Sequence, residues 1–158
     1  SIDKGVNLSE KKTTDLTIDP IDLREKNYLI FNDYFSELFN CYNDYKEQWP
    51  FLDANIQTLD IPSFNIQRYL PGDHFSKIHT ERSSTSTSHR VFAWMTYLND
   101  LDKNSGGSTK FEHFDISIEP KKGKTLIWPA EWTHAHSGDI IKSGVKYIIT
   151  GWMCFPFN

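Results

Sequence analysis

Cysteine is scarce in this chain. Cys41 and Cys154 are the only two; they lie far apart and match no zinc-ligand spacing, which excludes a zinc-finger framework and a disulfide-dense scaffold. Two buried thiols in a reducing compartment are the expectation. Long apolar runs are also missing. No stretch approaches the ~20 residues needed to cross a bilayer, and residues 1–5 carry no hydrophobic signal core. A cytoplasmic location without a membrane partner is expected. Positive charge is not in excess either, with 17 Lys and Arg against 21 Asp and Glu and a formal net charge of −4. A surface that tracks phosphates normally needs a basic stripe, so nucleic acid is not an expected partner. No internal repeat and no linker interrupts the chain, which reads as one domain over residues 1–158.

Aromatic residues are plentiful: 11 Phe, 7 Tyr and 5 Trp supply core material. Seven large residues, Tyr28, Phe31, Phe35, Leu38, Tyr42, Tyr45 and Trp49, recur in alternating steps of three and four. That spacing predicts one buried face of a helix over 28–49, ended by Pro50. After Pro62 the pattern changes to short segments rich in β-branched and aromatic residues. They span 64–70, 75–79, 90–98, 109–114, 116–118, 125–129 and 145–155, separated by Gly, Pro, Asn and Asp turns. Residues 16–18 predict a short edge strand. The chain therefore reads as mainly β, with N-terminal helical support over about 20–50 and a jelly-roll core over about 61–155. The polar tract 82–88 reads as a mobile lid or as an ordinary disordered loop.

Six histidines are present: His74, His79, His89, His113, His134 and His136. A lone His in a strand is usually structural, so grouping has to carry any metal argument. His79 and Glu81 are two residues apart, which in an extended strand places both side chains on one face. His134 and His136 form a second pair with the same parity. Two neutral imidazoles and one carboxylate are the ligand set of non-haem iron(II) oxygenases. Zinc could use the same atoms.

The surroundings of these pairs resemble the prolyl-4-hydroxylase-like family of Fe(II)- and 2-oxoglutarate-dependent oxygenases. Tyr69, Gly72, His79 and Glu81 are similar to that family's Tyr-x-x-Gly…His-x-Asp stretch. Arg90 followed by Tyr97-Leu98-Asn99 resembles its Arg…Tyr-Leu-Asn strand, and Gly106-Gly107-Ser108-Thr109-Lys110-Phe111 its Gly-Gly-x-Thr-x-Phe turn. His136, Gly144, Lys146 and Trp152 are similar to its closing His…Gly-x-Lys/Arg…Trp series. Two departures stand out: Glu81 replaces the usual Asp, and His134 competes with His136, although the spacing to Gly144 and Lys146 favours His136.

The resemblance implies a double-stranded β-helix with iron held by His79, Glu81 and His136. It implies that Lys146 binds the distal carboxylate of 2-oxoglutarate, with Tyr69, Tyr97 and Thr109 lining that pocket. Arg90 would position the prime substrate, and Trp152, Trp128 and Phe111 would wall off water. Implied cofactors are Fe(II), 2-oxoglutarate and O2, with ascorbate as an accessory reductant. The implied reaction hydroxylates an unactivated C–H bond and releases succinate and CO2. A prolyl residue in a peptide or protein leads as substrate. A free amino acid, or a non-catalytic jelly-roll module that only binds a ligand, stand as alternatives.

Overall fold

The computed structural model describes residues 8–25, 28–56 and 58–156. The three-and-four spacing of large residues winds Ile30–Glu47 into helix α1, close to the expected 28–49, with Leu38 and Tyr42 buried along its stripe. Pro50 ends this helix as expected but also starts another, α2, over Pro50–Asn55. Proline lacks an N–H, and the first turn of a helix leaves its N–H groups unpaired, so position N1 suits it. The expectation of a plain helix stop missed this second use of the residue.

Nine strands are found among the described residues. They are β1 (Thr14–Ile18), β2 (Phe64–Tyr69), β3 (Phe75–His79), β4 (Arg90–Tyr97), β5 (Thr109–Phe111), β6 (Ile116–Ile118), β7 (Thr125–Pro129), β8 (His136–Gly138) and β9 (Lys146–Cys154). All pairings are antiparallel. One sheet of five strands runs β1-β2-β9-β4-β7 and a second of four runs β3-β8-β5-β6. The expected jelly roll, or double-stranded β-helix, is therefore the fold. The short strand β8 was not expected. His-Ser-Gly offers no alternation of apolar residues, and its pairing with β3 and β5 is set by the rest of the sheet.

Alternation along the strands of the larger sheet divides the molecule into two cores. Phe64 on β2, Phe92 and Trp94 on β4, and Ile149 and Met153 on β9 face α1, joining Leu38, Tyr42 and Leu52. The alternate residues Tyr69, Ala93, Met95, Tyr97 and Ile148 face the second sheet, where Phe111 and Trp128 complete the packing. The helices thus cover one face of the sheet and leave the other to build a cavity. The hydroxyl of Tyr34 ties α1 to this sheet through a 2.8 Å hydrogen bond with Thr96.

A β-bulge interrupts the β4–β9 pairing between Arg90 and Phe92. An extra residue in one strand reverses which face its neighbours point to. Val91 and Phe92 both pack into the helix-side core, and Arg90 turns the other way.

The tract 82–88 is not a loose lid. Thr85–Thr87 form a 3-10 turn closed by reciprocal capping bonds between Ser84 and Thr87, and Arg82 pairs with Glu131 across the turn. Among the described residues no helix is long and apolar enough to cross a membrane.

Gly151 is tightly packed on the helix-side core. A Cβ there would lie 2.7 Å from the ring of Trp94 and 3.0 Å from Cβ of Phe64. Overpacking of this kind costs about 1–3 kcal/mol. Gly151→Ala is expected to lower the urea-unfolding free energy by that amount, and an unchanged midpoint would contradict this packing.

Candidate metal centre

His79 closes β3 and His136 opens β8, and the two residues are directly paired across the antiparallel ladder. Their ring centroids lie 4.3 Å apart. Glu81 is not on β3, as the parity argument had it, but in the turn just after it. That turn is clamped on both sides of Glu81. The carbonyl of Ala130 accepts from the Thr80 hydroxyl at 2.7 Å and from the Arg82 N–H at 2.9 Å, and the Glu81 carbonyl accepts from Arg90 Nη1 at 3.0 Å. The side chain swings back towards the strand end it has left.

One ligand atom from each of His79, Glu81 and His136 converges, all within 4.8 Å of one another. Glu81 Oε1 lies 3.5 Å from Nε2 of His79 and 3.3 Å from Nε2 of His136. Each imidazole donates its other nitrogen, Nδ1, to a backbone carbonyl at 2.9 Å: Lys77 for His79 and His134 for His136. Those bonds orient both rings so that each Nε2 faces inward. Phe75 stacks on the His79 ring at 3.8 Å, and Trp128 meets the His136 ring edge-on at 5.0 Å. Two imidazoles and one carboxylate in this arrangement, with one side open to a cavity, match the donor set suited to a divalent iron.

His134 does not compete for this position. It ends a 3-10 turn, Trp132–His134, where its Nδ1 is 3.0 Å from the Thr133 hydroxyl and its ring packs against Phe114 at 5.0 Å. The turn breaks the strand parity that made the two histidines look equivalent.

The carboxyl of Glu81 is largely buried, with 15% of its side chain exposed. Burial pushes it up, but the close imidazoles of His136 and His79 and the indole N–H of Trp152 outweigh this and hold it well below the usual carboxylate range. The group is an anion, ready to bind a cation. Trp152 Nε1 donates to Glu81 Oε2 at 2.7 Å.

A cavity of about 230 Å3 adjoins the triad. Tyr69, Thr109, Trp128, Lys146 and Trp152 line it together with the three candidate ligands. Lys146 is only 3% exposed. Its ammonium donates to the Gly107 carbonyl at 3.0 Å and sits 4.4 Å from the centre of the Tyr69 ring. Gly106 and Gly107 both have positive φ, and a side chain at Gly106 would strike the Ile140 carbonyl, so the turn that presents this carbonyl needs glycine. Among the described residues no carboxylate is within 4.0 Å of this ammonium, and burial pushes its pKa down to about 8. The buried indole N–H of Trp128 also lacks a partner among them. A buried cation lining this cavity calls for an anionic guest.

Two expected pocket residues lie elsewhere. Tyr97 is completely buried behind Thr109; its hydroxyl is 2.6 Å from Thr109 Oγ1 and donates to the Ile118 carbonyl at 3.2 Å. It orients Thr109 and does not line the cavity. Phe111 packs behind Trp128 and His136 at 5.5 and 5.7 Å. Arg90 lies against Glu81 and the Trp152 ring, 3.7 Å from the ring centre. Sequence reasoning missed Asn65, Gln67 and Thr150, which share the cavity wall. Their signal was present: they are the polar alternates of Phe64, Ile66 and Ile149 on two strands that otherwise read as core. The two carbonyls that orient the imidazoles leave no trace in the sequence.

The sequence pattern of the 2OG-Fe(II) oxygenase superfamily matches residues 64–154, more than half of the 158-residue chain. Human procollagen-lysine,2-oxoglutarate 5-dioxygenase 2 is 34% identical over 77 residues, covering 46% of this chain and 10% of that protein. A PKHD-type hydroxylase of Prochlorococcus marinus is 27% identical over 112 residues, covering 65% of this chain and 50% of that protein. The chain thus spans from a tenth to half of these relatives' length. In fold, it superposes on a Trichoplax adhaerens prolyl hydroxylase in complex with a hypoxia inducible factor peptide, with a TM-score of 0.65 at 15% identity, covering 92% of this chain and 64% of that one.

The two histidines of the 134–136 pair give a direct test of the geometry. Equilibrium dialysis with a divalent cation is expected to show one site in wild type and in His134→Ala, and none in His136→Ala. Equal loss in both variants would contradict the assignment.

Proposed function

The chain belongs to the 2OG-Fe(II) oxygenase superfamily, and on that premise we propose that it hydroxylates an unactivated C–H bond of a prolyl residue in a peptide or protein. His79, Glu81 and His136 would hold Fe(II), and Lys146, Thr109 and Tyr69 would hold 2-oxoglutarate. When bound, iron and 2-oxoglutarate together supply the oxidation of the C–H bond by O2, with release of succinate and CO2.

The observation that carries this reading is one cavity with a three-ligand face and a buried ammonium. A metal hydrolase would use the three ligands but would leave Lys146 without a purpose. A buried ammonium without a carboxylate partner is costly, and a dicarboxylate that reaches from the metal to Lys146 resolves it. Thr109 Oγ1, oriented by Tyr97, offers a further hydrogen bond to that guest. Trp128, Trp152 and Met95 present apolar walls that keep bulk water from the reacting centre.

A peptide or protein substrate is supported by the peptide complex of the Trichoplax relative. A second substrate reading has its own support: the similarity to procollagen-lysine,2-oxoglutarate 5-dioxygenase 2 points to a lysyl residue. Incubation with Fe(II), 2-oxoglutarate and O2 and peptide pools containing proline, lysine or neither separates the two. Our reading expects succinate formation coupled to a gain of one oxygen in proline peptides. Oxygen gained only in lysine peptides would replace it with the lysyl reading, and no coupled turnover with any pool would count against hydroxylation of either residue.

Lys146 gives this reading a pH signature. The ammonium binds a carboxylate only when protonated, and its pKa in the free protein is pushed down to about 8 by burial. Affinity for 2-oxoglutarate, measured anaerobically by calorimetry, is expected to be constant below about pH 8 and to fall about tenfold per pH unit above it. Lys146→Met is expected to weaken binding by about 2–5 kcal/mol and to abolish that pH dependence. A pH-independent Kd in wild type would contradict the role.

A further inference from the structure

Glu81 is the departure from the family's usual aspartate, and its two carboxylate oxygens have different surroundings. Oε1 faces both imidazoles, at 3.3 and 3.5 Å. Oε2 points away, accepts the 2.7 Å hydrogen bond from Trp152 Nε1 and lies 3.7 Å from Arg90 Nη1. One oxygen is thus left free for a cation while the other is held from behind.

The indole that holds it is itself fixed. The Arg90 guanidinium stacks on the Trp152 ring at 3.7 Å, and the same Arg90 donates to the Glu81 carbonyl at 3.0 Å. The contacts close a circuit: Glu81 backbone to Arg90, Arg90 to the indole face, indole N–H back to the Glu81 carboxylate. The circuit joins the turn after β3, the first residue of β4 and the inner face of β9. It needs the β4 bulge, which turns Arg90 to this side.

We infer that Trp152, braced by Arg90, is a positioning residue for the metal-binding carboxylate, and that Glu81 and Trp152 act as a matched pair. The inference rests on the iron-binding reading above. The physical reason lies in the extra methylene. A glutamate has one more rotatable bond than an aspartate, so an unrestrained Glu81 would sample carboxylate positions unsuited to a metal. A fixed N–H donor on Oε2 selects one of them and leaves Oε1 to the cation. The shorter aspartate would retreat by about one C–C bond, ~1.5 Å, and lose the indole. Restoring the family's usual residue should therefore weaken this site, not improve it.

The test is anaerobic calorimetric titration with Mn(II), a stand-in for Fe(II) that needs no turnover, on wild type, Trp152→Phe, Glu81→Asp and the double variant. Phenylalanine keeps an aromatic ring for Arg90 and removes the N–H, together with the second ring of the indole. Loss of a hydrogen bond to a metal ligand typically weakens binding about 10–100-fold, and that loss is expected in each single variant. The double variant should be no weaker than Glu81→Asp, because the aspartate has already left the indole. Trp152→Phe binding like wild type, Glu81→Asp binding more tightly, or losses that multiply in the double variant would each overturn the pairing. Circular dichroism checks the fold. Where Trp152→Phe does not fold, Glu81→Asp decides alone: weaker binding supports the pair, and equal or tighter binding overturns it. Folded wild type that binds no Mn(II) would instead bring down the metal reading, and the pairing with it.

Discussion

A carboxylate taken out of water has to be compensated at every oxygen, or it is protonated or expelled. Glu81 sits in that position, largely buried between two histidines, an indole and a guanidinium. Much of the surrounding structure answers this requirement. Ala130 and Arg90 clamp the turn that carries it. Backbone carbonyls turn both imidazoles to face it. Lys146 raises the same problem with the opposite sign in the same cavity, where among the described residues the Gly107 carbonyl and the face of Tyr69 meet the ammonium. An anionic site for a cation and a cationic site for an anion share one apolar-walled space, and this arrangement is what supports the oxygenase reading.

The fold makes such a site affordable by separating packing from chemistry. The larger sheet places Phe64, Phe92, Trp94 and Ile149 against α1, so most hydrophobic stabilisation is gathered on one face. The opposite face of the same strands can then carry Gln67, Lys146, Thr150 and Trp152. Strand alternation alone achieves this on β2 and β9, and the bulge at Arg90 achieves it where alternation would have aimed the side chain at the helix.

Much of this was legible in the sequence. The spacing of α1, eight of the nine strands found among the described residues and the two-histidine, one-carboxylate set can be read from residue types and periods. The family resemblance singled out Lys146. What could not be read was set by tertiary context. β8 has no strand signature of its own and exists because β3 and β5 flank it. His134 and His136 share parity in an extended chain but are separated by a 3-10 turn. Tyr97 and Thr109 looked equivalent as pocket hydroxyls, yet one stands behind the other. Trp152 read as a wall because its hydrogen bond to Glu81 depends on a residue 71 positions away.

The most direct test of the central claim, that one cavity holds both metal and co-substrate, is an anaerobic visible spectrum of the Fe(II)-loaded protein during titration with 2-oxoglutarate. A keto acid chelating Fe(II) through its carboxylate and keto oxygens gives a metal-to-ligand charge-transfer band in the visible. The account predicts that this band grows to saturation at one equivalent and is absent in His79→Ala. Protein that demonstrably binds Fe(II) yet develops no band at saturating 2-oxoglutarate would contradict it.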